Sequence, residues 1–226
     1  MFQKVEKIVV WGDSVAKGVI FDDRRNRYAI SKQTAVKQVS DALGTEIVNR
    51  SKMGRTITEG FLTMQTDLEK GLVCDVGVIE FGGNDSDFYW DQISSAPDRH
   101  FESKTPIGLF AQKLREMIAF LKQRGIRPVL MTLPPVNASR YFDFITRNLN
   151  PANILKWLGT RETIYRFHEQ YSAVIAEIAR ETGCVMIDLR SAFAAQADDP
   201  SLLCMDGVHP NDKGQALIGR TVLNAI

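Results

Sequence analysis

Lys7-Ile-Val-Val-Trp-Gly-Asp-Ser14 is a short β-branched run that stops at a glycine and two small polar residues. An apolar run of this length bounded by a turn signal reads as a buried strand. Four more such runs follow: Glu46-Ile-Val-Asn49, Asp75-Val-Gly-Val-Ile-Glu-Phe81, Arg127-Pro-Val-Leu-Met-Thr132 and Cys184-Val-Met-Ile-Asp188. Between them the apolar period changes to that of a helix. Ile107, Phe110, Leu114, Met117, Ile118 and Leu121 form an i, i+3, i+4, i+7 stripe, with Pro106 at its start and Gly125 past its end. Thr160 to Thr182 predicts a second long helix, with Ile164, Tyr171, Ile175 and Ile178 on one face and Gly183 as C-cap. A last helix follows His209-Pro210, with Asn211 as N-cap and Asp212 in the first turn. Strands alternating with helices imply right-handed βαβ units and a parallel sheet covered on both faces. The expected fold class is α/β, and ligand sites in such sheets form at the carboxyl ends of the strands.

Two stretches break the rhythm, Ser86–Thr105 and Pro134–Gly159. Both exceed the usual connection length and both are rich in aromatics, which disordered segments lack. They are expected to be ordered caps beside the strand ends, and Phe88, Tyr89, Trp90, Tyr141 and Phe142 are the candidate substrate-binding residues they carry. Arg140 and Arg147 are candidates for contact with a carboxylate or phosphate. Without a repeat or linker, residues 1–226 read as one domain with loop insertions at about 86–105 and 134–160.

The composition excludes several classes. The chain has 226 residues, 44% hydrophobic and 24% charged, with a formal net charge of +1. That balance carries no signal for nucleic acid or a membrane surface. Cys74, Cys184 and Cys204 are an odd, scattered set, which argues against a disulfide framework and for a reducing compartment. Met1–Lys7 is polar and the apolar run after it is too short for a secretion signal. No run approaches a membrane span. The expectation is a cytoplasmic protein that acts on a small molecule.

Four pieces fall where strands end: Gly12-Asp13-Ser14, Gly54 after the second strand, Gly82-Gly-Asn-Asp85 after the third, and Asp206-Gly-Val-His209 before the final helix. A serine hydroxyl attacks an acyl carbon only when a neighbouring base takes its proton. The histidines are His100, His168 and His209. His168 lies on the apolar face of its helix and reads as a packed, hydrogen-bonded side chain, and His100 sits in the first aromatic loop. His209 has a carboxylate three residues earlier, and Pro210 biases it to an extended backbone. Asp206 can then hold one ring nitrogen and leave the other for Ser14. The competing reading is a surface turn that caps the last helix. For an oxyanion, the Ser14 amide, the Gly54 amide and the Asn84 side chain are the candidate donors. Asp13 and Asp85 are expected to brace loops.

Taken in order, these pieces resemble the sequence blocks of the SGNH hydrolases, also called GDSL esterases and lipases. Ser14 matches the first-block nucleophile, Gly54 the second-block glycine, Asn84 the asparagine of Gly-x-Asn-Asp, and Asp206 and His209 the Asp-x-x-His block. The resemblance runs from the first strand to the last helix. Trp11 stands where the family often has a smaller residue or Phe, and the surroundings of Gly54 match loosely. The resemblance implies a flavodoxin-like three-layer α/β/α sandwich with a five-stranded parallel sheet. It also implies a Ser-His-Asp mechanism with Ser14, His209 and Asp206, and neither metal nor cofactor. The substrate it implies is a small ester, a short-chain acyl or acetyl-sugar ester. A carbohydrate O-deacetylase or an acyltransferase would use the same triad.

Other chemistries fit less well. Gly12-Asp13 and Gly83-Asn84-Asp85 echo metallophosphoesterase motifs, but a two-metal site needs more converging His and carboxylate ligands. Neither Gly-x-Gly-x-x-Gly, a P-loop nor a Gly-x-Ser-x-Gly elbow occurs. A non-catalytic α/β module binding a small ligand at the strand ends is the alternative from another class.

Overall fold

The computed structural model describes residues 7–196 and 200–225. The polar segment at residues 1–6, read above as lacking a secretion signal, lies outside the described residues. In chain order the elements are β1 (Lys7–Gly12), α1 (Ser14–Lys17), β2 (Val19–Asp22), β3 (Arg27–Ile30), α2 (Ala35–Leu43), β4 (Glu46–Asn49), α3 (Ile57–Glu69), β5 (Val76–Glu80), α4 (Trp90–Ser95), α5 (Ile107–Lys122), β6 (Arg127–Met131), α6 (Ala138–Ile145), α7 (Pro151–Leu158), α8 (Glu162–Thr182), β7 (Val185–Ile187), α9 (Leu189–Ala194) and α10 (Asp212–Ala225). A 3-10 turn, Pro200–Leu202, precedes α10.

Five strands form one sheet in the order β4-β1-β5-β6-β7, and every pairing is parallel. Strand order therefore reverses between β1 and β5, which makes that gap the topological switch point where α/β sheets bind ligands. Side chains alternate across the strands. Val9, Trp11, Ile79 and Leu130 face a core shared with α3, α5 and α8. Met131 and Ile187 face a second core closed by α2, α9 and α10. The result is three layers, helices on both faces of one parallel sheet.

The stripe on α5 is buried from Phe110 to Leu121, while Ile107, at the first turn, stays 38% exposed. Asn211 caps α10 as expected, its Oδ1 accepting from the amides of Lys213 and Gly214. α8 ends on Gly183 in the left-handed conformation. Cys74 and Cys184 pack against the larger core. No helix among the described residues is long and apolar enough to cross a membrane.

Two features differ from expectation. The aromatic stretches carry short helices, α4 in the first and α6 and α7 in the second. Together with Ile164 of α8 they enclose their own apolar cluster, centred on Phe88, Trp90, Ile93, Phe142 and Ile154. In addition, β2 and β3 form an antiparallel hairpin, Val19 opposite Ile30 and Asp22 opposite Arg27. The charged stretch from Asp23 to Asn26 forms the turn of that hairpin, with Asn26 at φ 47°.

Candidate active site

β1 delivers Ser14 to the switch point. After Gly12 the chain turns at Asp13, whose Oδ1 accepts from Val15 N at 2.9 Å and caps α1. Ser14 is thus the first helical residue, where a backbone N–H has no intrahelical acceptor. The side chain is 6% exposed.

The Asp206–His209 turn comes from the other end of the chain. Asp206 Oδ1 accepts from Val208 N and His209 N, both at 3.1 Å. Cys204 N donates to His209 O at 2.8 Å and closes the turn. This leaves Asp206 Oδ2 for His209 Nδ1, at 2.6 Å, and His209 Nε2 lies 2.9 Å from Ser14 Oγ. A carboxylate can only accept, so Nδ1 carries the ring proton and Nε2 is free to accept from the serine hydroxyl. Burial pushes the Asp206 carboxyl up, but the hydrogen bond and charge of His209 and the two backbone donors outweigh it and hold it below its ordinary value. Asp206 is therefore ionised and buried beside the ring it orients.

The remaining sequence candidates fall around this relay. Gly54 lies in the loop after β4, which Lys52 N ties to Gly12 O at 3.1 Å. Its φ is +78° and a Cβ would meet nothing within 4 Å, so backbone conformation rather than crowding calls for glycine. Asn84 donates from Nδ2 to Asp13 Oδ2 at 3.2 Å. Asp85 accepts from Ile57 N at the start of α3, and burial pushes its carboxyl up to about 7. Glu80, on β5 behind Ser14, accepts from Asp13 N at 3.3 Å and Ala16 N at 3.2 Å. Burial and the Asp13 carboxyl raise it well above its ordinary value.

A cavity of about 200 Å³ opens on Ser14, His209, Gly54 and Asn84. Phe88, Trp90 and Tyr141 line it, as read from the sequence. Tyr89 and Phe142 do not: Tyr89 is 55% exposed, and Phe142, at 3%, is sealed inside the cap cluster. Aromatic type signals burial or binding without telling which way a ring faces. Arg147 stacks on Phe144 at 4.4 Å, and neither Arg140 nor Arg147 reaches the cavity. His100 is exposed beside a separate hollow.

Sequence reasoning missed several wall residues. Tyr28, on the hairpin, meets the His209 ring edge-on with centroids 5.1 Å apart. Burial and the Asp206 carboxylate raise its phenol above the ordinary value. The available signal was the strand-prone pair Tyr28 and Ile30 beside the charged turn. Asp87 ties the wall together: Trp90 Nε1 and the Tyr141 hydroxyl both donate to Oδ1 at 2.8 Å, and Lys104 Nζ lies 2.7 Å from Oδ2. His168, buried as expected, also lines the cavity. Among the described residues no three His, Cys, Asp or Glu side chains gather closely enough to hold a metal ion.

The sequence profile of the GDSL-like Lipase/Acylhydrolase family matches residues 10–217. No curated protein sequence matches the chain. Among solved structures, a lipase/acylhydrolase from Enterococcus faecalis superposes with a TM-score of 0.64 at 21% identity, over 97% of this chain and 94% of that one. LAE5, an alpha/beta hydrolase from the metagenome of Lake Arreo, gives 0.68 at 20% identity over 97% and 94%. An acetylxylan esterase from Geobacillus stearothermophilus gives 0.64 at 20% identity over 97% and 93%. At such identities these likenesses speak for the fold.

Proposed function

The chain belongs to the GDSL-like lipase/acylhydrolase family and is an ester-hydrolysing enzyme, and from that premise we propose that it is a serine esterase acting on small esters through Ser14, His209 and Asp206. The observation that carries this reading is the unbroken hydrogen-bonded relay from Ser14 Oγ through the His209 ring to Asp206, at 2.9 and 2.6 Å. Ser14 Oγ attacks the ester carbonyl while His209 Nε2 takes its proton. The same nitrogen then protonates the leaving alcohol, and water repeats the cycle on the acyl-enzyme. Asp206 fixes the tautomer and stabilises the imidazolium. The Ser14 and Gly54 amides and the Asn84 amide group are the donors proposed for the oxyanion, each worth ~3 kcal/mol in the transition state.

The size of the cavity favours small substrates. At about 200 Å³ it falls below the ~300–1,000 Å³ that holds drug-sized ligands. A short acyl group fits this, and the aromatic wall suits either an apolar chain or the face of a sugar, in line with the acetylxylan esterase of similar fold. The test is hydrolysis of p-nitrophenyl esters of increasing chain length by the wild type and by Ser14→Ala. Turnover should be greatest at acetate or butyrate and fall at least ~10³-fold in the variant. Equal turnover by both proteins rules the mechanism out.

A further inference from the structure

His168 lies on the buried face of α8, one turn after Ile164, and forms part of the cavity wall with Ile164 and Phe167. It is 7% exposed. Its Nδ1 stands 3.4 Å from Arg190 Nη1. A guanidinium can only donate, so Nδ1 accepts and the ring proton sits on Nε2. Burial, and then the Arg190 charge, hold the imidazolium pKa down at about 3, so the ring is neutral at any physiological pH.

Among the described residues the buried side-chain atoms without a hydrogen-bond partner are Ser51 Oγ, Glu80 Oε1 and Arg190 Nη2. His168 Nε2 is not one of these sealed atoms, and no protein acceptor among the described residues meets it. Its N–H is therefore not sealed in the core, and the open space that His168 borders is this cavity. The surrounding wall is apolar, from Leu133, Phe88, Ile164 and Phe167. A donor set in such a wall costs free energy until an acceptor meets it. Arg190 is held behind the ring, stacked on Tyr165 at 4.7 Å with Nη2 3.7 Å from Glu169 Oε1. Its hydrogen bond to Nδ1 polarises the imidazole and strengthens Nε2–H as a donor.

The geometry points to His168 as a specificity-determining residue whose Nε2–H donates to an oxygen of the substrate outside the reacting ester group, which makes a hydroxylated or carbohydrate ester, rather than a plain alkyl or aryl ester, the substrate class. This rests on the reading that Ser14 hydrolyses esters in the same cavity. A plain acyl chain would leave the donor unmet, whereas an acetylated sugar offers its ring oxygen, its glycosidic oxygen and the hydroxyl or ester oxygens of neighbouring positions. The aromatic side chains of the same wall complement the sugar's C–H faces.

The test compares acetate release from phenyl acetate, which has no oxygen beyond its ester, with release from methyl β-xylopyranoside triacetate. His168→Phe removes the donor and keeps a flat ring; His168→Gln returns an N–H near the Nε2 position. The wild type should prefer the xyloside. His168→Phe should lower the ratio of kcat/KM for the xyloside to that for phenyl acetate about 10-fold. His168→Gln should regain most of the loss. Equal losses on both esters without rescue by Gln, or no loss on the xyloside, overturn the assignment and leave His168 as packing. Phenyl acetate turnover with no preference for the xyloside also overturns it, while a wild type inert on both esters strikes the esterase reading itself. A measurement that needs no change at position 168 is the ¹⁵N signal of His168 Nε2 in the Ser14→Ala protein, titrated with the acetylated xyloside. A shift of that signal is expected, and an unmoved signal at saturation contradicts the proposal.

Discussion

Asp206 does two jobs with two oxygens, and they can be separated. Oδ1 holds the turn through Val208 N and His209 N, and Oδ2 holds the ring. Asp206→Asn can keep the first oxygen while its amide meets Nδ1 as a donor. That drives the ring proton to Nε2, where it can no longer accept from Ser14. We expect kcat to fall by ~10³–10⁴-fold with the melting temperature little changed. Enzyme assays beside thermal unfolding check this; a fall in melting temperature that tracks the loss of activity would mean the carboxylate is mainly structural. Gly54 gives a second prediction at this scale. At φ +78° with open space around it, Gly54→Ala meets only backbone strain, ~1–2 kcal/mol. Where its amide serves the oxyanion, the backbone shift that relieves this strain re-aims the N–H, and kcat drops ~10²-fold, out of proportion to the stability loss. The residue types of the relay were legible because serine, histidine and aspartate carry their chemistry with them. The facing of Tyr89, Phe142 and His168 was not, since each could pack or bind and only the tertiary fold decides.

At the scale of elements, α6 and the turn that carries Asp206 and His209 are fitted to one another. Asn137 N donates to Gly207 O at 2.8 Å, and a Cβ on Gly207 would fall 2.7 Å from both Asn137 O and Tyr141 N. Gly207 also has φ +75°. Gly207→Ala must therefore displace either α6 or the turn that presents Asp206 and His209. A stability loss of more than ~2 kcal/mol accompanied by a fall in kcat of over ~10-fold is expected from denaturant titration and kinetics; unchanged kcat would show the two elements to be independent. The elements that were legible in sequence, the five strands with α5 and α8, carry β-branched runs or long apolar stripes, and α8 ends on a left-handed glycine. The helices α4, α6 and α7 are six to eight residues each. Isolated helices that short are marginal in water. They persist because Trp90, Ile93, Phe142 and Ile154 pack together across segments far apart in sequence, which no local pattern reveals. The hairpin β2–β3 was obscured for a similar reason, its strands being only four residues each on either side of a charged turn.

For the whole molecule, the sheet topology is what makes a site from scattered pieces. Ser14 and His209 are 195 positions apart, yet β1, β5 and the turn before α10 deliver them to one edge of the switch point. Burying so many ionisable groups also shapes stability against pH, with opposite signs. Asp85 is raised from 3.8 to about 7, so its stabilising contribution is full below pH 3.8 and is lost as pH rises through 7. His168 is lowered from 6.5 to about 3, so its contribution is present above pH 6.5 and is lost as pH falls through 3. Asp85→Asn should flatten the decline between those first limits and His168→Phe the rise between the second. Each slope is at most ~1.4 kcal/mol per pH unit, read from urea unfolding at several pH values. A pH profile identical to wild type in either variant would contradict the corresponding assignment.

Mass-spectrometric mapping after reaction with a fluorophosphonate tests whether Ser14 is the nucleophile. A single adduct is expected, on Ser14, its appearance following the loss of esterase activity. Ester hydrolysis that continues undiminished without an adduct, or inactivation through an adduct on any other residue, would contradict that role.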